Sequence, residues 1–79
     1  MTRSERDAEV KRLAGNLGLT ARTGHSPRYW FVWHDEDYRG TLDFNEKSER
    51  FRVYGGRLSK AHYGELGGLL NLLACSGVH

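Results

Sequence analysis

The stretch Arg28-Tyr29-Trp30-Phe31-Val32-Trp33-His34 constrains this chain most, because its apolar side chains point in two directions. Successive side chains of an extended strand project to opposite faces. Tyr29, Phe31 and Trp33 therefore share one face, and Trp30, Val32 and His34 share the other. A chain of 79 residues carries enough helix to cover one face of a small sheet, hardly both. One aromatic set is expected at the surface, where a large apolar patch marks a binding site.

The length sets one domain, residues 1–79. Hydrophobic content of 38% beside 28% charged residues is that of a folded globular chain, not a disordered one. No apolar run approaches the roughly 20 residues of a membrane span, and Met1 to Asp7 lack the apolar segment of a secretory signal. Cys75 is the single cysteine, which excludes an internal disulfide and suits a reducing compartment, so a cytoplasmic location is expected. The net charge of +2 is mild, but it is unevenly spread. Arg50, Arg52, Arg57 and Lys60 fall in a stretch without acids, whereas Asp35-Glu36-Asp37 forms an acidic knot. Such a dipolar chain attracts nucleic acid on one side or an acidic protein surface equally well.

Hydrophobic spacing predicts the order helix, three strands, helix. Ser4 followed by Asp7 reads as a helix start, and Val10, Leu13, Ala14 and Leu17 form one apolar stripe. Gly18 suits the left-handed position after the last turn, with Leu19 folding back. Thr20 to Pro27 reads as a loop with a short extended beginning, closed by Pro27. Strands follow at Arg28 to His34, Tyr38 to Phe44 and Arg50 to Tyr54, joined by the polar turns His34 to Asp37 and Asn45 to Glu49. Ser59 reads as the cap of a second helix, with Leu66, Leu69, Leu70 and Leu73 as its stripe and Gly77 as its stop. Gly64, Gly67 and Gly68 inside that helix would each cost about 1 kcal/mol relative to alanine. The fold expected is α+β, α-β-β-β-α, with both helices on one face of a three-stranded antiparallel sheet. Leu42, Phe44, Phe51 and Val53 would face the helices; Arg39, Thr41, Asp43, Arg50, Arg52 and Tyr54 would face away.

Arginines pair bidentately with phosphate or carboxylate, and aromatic faces stack on bases or fill protein pockets. Trp30, Trp33, Arg39, Arg50, Arg52 and Tyr54 are therefore the candidate partner-binding residues; a solvated sheet face is the bland alternative. No catalytic, cofactor or metal residues are expected. His25, His34, His62 and His79 lack ligand spacing, and His34 beside Asp35 and Asp37 reads as a hydrated turn. Ser26 beside His25 points the wrong way for nucleophilic catalysis, and Cys75 reads as a small buried hydrophobe. Gly55-Gly56-Arg57 is too short to cradle a phosphate. Asp35-Glu36-Asp37 with Glu46 and Glu49 could mimic phosphates, but acidic turns are commonly just solubilising.

The element order, with Gly24-His25 just ahead of the aromatic strand, resembles the HicA family of small mRNA-cleaving toxins, although here serine follows the histidine. That resemblance implies a fold like that of double-stranded-RNA-binding domains, with His25 as general acid–base on RNA. A tiny domain with an over-aromatic strand beside arginines and no catalytic constellation also resembles, in type, the small phage inhibitors of bacterial defence, anti-CRISPR proteins among them. That likeness implies a non-enzymatic steric inhibitor that keeps a nucleoprotein complex from engaging its target DNA. The partner expected is thus a protein or nucleoprotein complex, possible CRISPR effectors included. Direct nucleic-acid binding is the alternative, membranes play no part, and the chain is a monomer or weak dimer.

Overall fold

In a computed structural model, which describes residues 2–26 and 28–75, the order is α1 (Arg3–Asn16), β1 (Thr20–Thr23), β2 (Tyr29–His34), β3 (Asp37–Asn45), β4 (Arg50–Tyr54), β5 (His62–Gly64) and α2 (Leu66–Cys75). The strands form one antiparallel meander in chain order, β1-β2-β3-β4-β5. The α+β class is as expected, but the sheet has five strands, not three. Pro27 and Gly77, expected to close a loop and stop a helix, and His79 lie outside the described residues.

Thr2 caps α1, in place of the expected Ser4. The Glu5 N–H donates to Thr2 Oγ1 at 3.1 Å and the Thr2 N–H to Glu5 Oε1 at 3.2 Å, a reciprocal capping box. At the other end Gly18 takes φ +74°, its N–H reaches the Gly15 carbonyl, and the Leu19 N–H reaches that of Ala14 at 2.8 Å. This Schellman stop drives Leu19 into the core, while Leu17, expected in the buried stripe, is left exposed.

Thr20–Thr23 is a full edge strand rather than the start of a loop. Ala21 pairs with Val32 and turns inward, whereas Thr20, Arg22 and Thr23 stay exposed, so no hydrophobic alternation announces the strand. The second helix begins at Leu66, later than the expected Ser59. Before it, His62 and Gly64 pair with Val53 and Phe51 as β5, so Gly64 is a strand residue. Gly67 and Gly68 lie in the first turn of α2 with open space around them, so no neighbouring backbone explains them. Cys75, expected to be buried, is exposed at the end of α2.

Both helices cover the same face. Val10 and Ala14 of α1 and Leu69, Leu70 and Leu73 of α2 meet Ala21, Trp30, Val32, Leu42 and Val53 in one core. Phe44 and Phe51 pack at its margin, 4.9 Å apart, with the Arg6 guanidinium 3.8 Å above the Phe44 ring. Asp7 ties the layers together. Its Oδ1 accepts from Trp30 Nε1–H at 2.9 Å and from the Thr23 hydroxyl at 3.0 Å, and its Oδ2 lies 3.1 Å from Lys11 Nζ. One carboxylate thereby joins α1 to β1 and β2.

The loop after β4 depends on Gly56. At φ +58° it passes so close to β3 that a Cβ there would sit 2.1 Å from the Arg39 carbonyl oxygen. Gly56→Ala would force both a left-handed alanine and a backbone clash, and is expected to lower stability by about 1–3 kcal/mol in urea denaturation.

The Trp30 hydrogen bond, more than Lys11 and Thr23, holds the Asp7 carboxyl below its ordinary value; partial burial opposes it. A lowered folded value means the stability Asp7 contributes is complete above the ordinary carboxylate range and fades as pH falls through it. Asn at this position keeps an acceptor for Trp30 but cannot titrate. The stability gap between wild type and Asp7→Asn is therefore expected to close between about pH 6 and pH 2; a gap independent of pH would show that the charge contributes nothing.

Candidate binding face of the sheet

With both helices behind it, the sheet leaves its other face uncovered. Strand pairing fixes what stands there, because directly opposed residues of antiparallel strands share a face. One row holds Arg22, Phe31, Thr41 and Tyr54, and the next holds Tyr29, Asp43, Arg52 and Tyr63. Trp33 and Tyr38 stand beyond the first row and Arg50 beyond the second. Trp30 is enclosed on the helix side at 0% exposure. The outward set is thus Tyr29, Phe31 and Trp33.

Among the six candidates, Trp33, Arg50, Arg52 and Tyr54 do share the open face. Trp30 does not reach it: its position alternates with Trp33, and its indole is held inside by Asp7. Arg39 is also withdrawn, with its side chain 8% exposed and its Nε 3.1 Å from Asp37 Oδ2. The cause is a register shift. Val32 pairs with Gly40 and Trp33 with Tyr38, so Arg39 is the extra residue of a bulge. The same bulge places Tyr38 on the open face, where its hydroxyl meets Thr41 Oγ1.

The rings form a connected surface. Tyr29 and Phe31 lie 5.5 Å apart edge to face, Phe31 and Tyr38 6.5 Å, and Trp33 and Tyr38 5.5 Å. Tyr54 is 37% exposed and Tyr63 65%. The Arg22 guanidinium stands 5.8 Å from the Trp33 ring and that of Arg52 4.7 Å from Tyr54. Arg52 also forks onto Asp43, with Nε 3.2 Å from Oδ1 and Nη2 2.5 Å from Oδ2. That hydrogen-bonded carboxylate raises the arginine's pKa further, so Arg52 is always charged.

Tyr29 leads into a groove of about 640 Å³ at the end of the sheet nearest the β3–β4 turn. Arg28, Lys47, Arg50 and Arg52 contribute cations to its lining, against Asp43 and Glu46. Arg22, Arg28, Arg50 and Lys47 form no ion pair with the described residues. At the sheet's opposite end the acidic knot is partly occupied, since Asp37 faces both Arg39 and Arg57.

His25 is exposed in the β1–β2 connection, its backbone N–H donating to the Tyr29 hydroxyl at 3.0 Å. Among the described residues, no three His, Cys, Asp or Glu side chains gather as a metal site, and no helix is long and apolar enough to cross a membrane. Sequence reasoning missed Arg22 because β1 was read as loop, and Tyr63 because β5 was read as helix. Phe31 and Tyr29 needed only the choice of face, which Trp30 decides. No family model, curated protein or solved structure matches this chain.

The two tryptophans should separate cleanly. Trp30→Ala is expected to cost about 3–5 kcal/mol, whereas Trp33→Ala should cost about 1 kcal/mol, both read from urea unfolding midpoints.

Proposed function

We propose that this is a non-enzymatic binding protein that docks through its uncovered sheet face on a bacterial nucleoprotein complex and keeps that complex from its target DNA, in the manner of an anti-CRISPR inhibitor. The observation that supports this reading is the connected set of half-buried rings Tyr29, Phe31, Trp33 and Tyr38, with Arg22 beside Trp33, and Arg52 and Tyr54 on the same face. Half-exposed rings side by side on an uncovered sheet face are the kind of apolar surface that marks a docking site. Trp, Tyr and Arg are also the residues that dominate interface energetics, with truncation of a central one costing roughly 2 kcal/mol or more. The arginines orient the complex and speed association.

Arg22 and Arg50 are the better residues to reverse, because Arg52 is bound up with Asp43. Purified RNA-guided effectors of several types, incubated with excess protein, are expected to retain at least about tenfold less labelled target DNA. The folded Arg22→Glu/Arg50→Glu double variant should leave retention unchanged. Full retention by every effector tested with the wild-type protein would refute the inhibitor reading.

A further inference from the structure

We infer that the ligand of this face is single-stranded nucleic acid, with bases stacked on Trp33 and Phe31 and phosphates on Arg22, Arg50 and the cationic groove beside Tyr29. This rests on the reading that the open face is the docking surface, and it names what docks there. Charge is the first reason. An inhibitor that displaced DNA by imitating it would present carboxylates, but the strand rows of this face carry one acid, Asp43, already neutralised by Arg52. Arg22, Arg28, Arg50 and Lys47 have no acidic partners among the described residues and border the aromatics, as a polyanion requires.

Shape is the second. Five strands span about 19 Å, too broad for a major groove of about 12 Å. Rings standing on a sheet cannot reach bases that remain stacked within a duplex. Unpaired bases, by contrast, offer their faces to aromatic side chains without regard to sequence. Trp33, Phe31 and Tyr29 repeat at every second residue of β2, about 7 Å apart along the strand. The column ends at Tyr29, which also lines the cationic groove, so a strand stacked on the rings has its phosphates led toward Arg28 and Arg50.

The burial of Trp30 and the partial exposure of Trp33 supply an internal reporter. Titrating the full chain with an oligothymidylate of about 15 nucleotides should quench tryptophan emission in the wild type. In Trp33→Phe, which retains only the enclosed Trp30, the oligonucleotide should bind without quenching. Fluorescence anisotropy should show binding about tenfold weaker for Trp33→Ala, and weaker still for Arg22→Glu/Arg50→Glu. Affinity should fall with salt at a logarithmic slope of about −2, for three phosphates contacted. A duplex of the same length should bind at least about tenfold more weakly than the single strand.

Equal affinity for duplex and single strand, equal quenching in Trp33→Phe, or no binding at about 50 mM salt would each overturn the inference. Inhibition of an effector without oligonucleotide binding would overturn it too, pointing to a protein ligand while leaving the inhibitor reading intact. Oligonucleotide binding without effector inhibition would uphold it and dismiss that reading instead.

Discussion

Trp30 lies under α1 with its indole N–H donated to Asp7, and the rest of the molecule follows from that placement. A strand alternates its side chains at a period of two, so fixing Trp30 inward also turns Val32 inward and sends Tyr29, Phe31 and Trp33 outward. Slipping the register by one residue would bury the other set and take the indole donor away from Asp7. The Asp7 carboxylate penalises that slip, because it accepts at once from β2 and from Thr23 of β1. The hydrogen bond therefore determines which side of the sheet is core, as well as joining helix to sheet.

Much of this was legible in the order of residues, and the failures have definite causes. Helix α1 and the three middle strands could be read because each buries a regular set of side chains: Val10 and Ala14 every fourth residue, Leu42 and Val53 in alternation with polar neighbours. Strands β1 and β5 could not, since an edge strand three or four residues long needs to bury only one side chain, here Ala21 or the partly buried His62. Their pairing comes from backbone groups, and those carry no sequence signature. The reach of the second helix was overestimated for a related reason. Ser59 resembles a helix cap, but the residues after it are held by β4 before the leucine stripe begins.

The candidate face was legible as a composition and not as an arrangement. That a surplus of aromatic side chains would lie outside could be deduced from length and alternation alone. That Trp33 rather than Trp30 would be among them depended on Asp7, 23 residues away. The bulge at Arg39 was beyond sequence reasoning altogether. Its effect is to exchange a cation for Tyr38 on the open face, and the missing Cβ of Gly56 lets the loop after β4 approach the Arg39 carbonyl closely. One residue of the loop after β4 thus fits closely against the bulge that leaves the centre of the face aromatic and its cations peripheral.

That division bears on how such a surface would meet a second copy of itself. Exposed rings on a sheet invite a second sheet, and short edge strands alone do not protect a face. Here the Arg22 guanidinium stands 5.8 Å from the Trp33 ring with no ion-pair partner among the described residues, so a second copy would bring like charges together above the same aromatic. A polyanion would meet the opposite situation, because each phosphate near the rim would face unpaired cations. On the proposed reading, the unpaired arginines would oppose self-association and favour an anionic ligand with the same charges. Arg52 differs, because Asp43 holds it in a fork beside Tyr63 and offsets its charge.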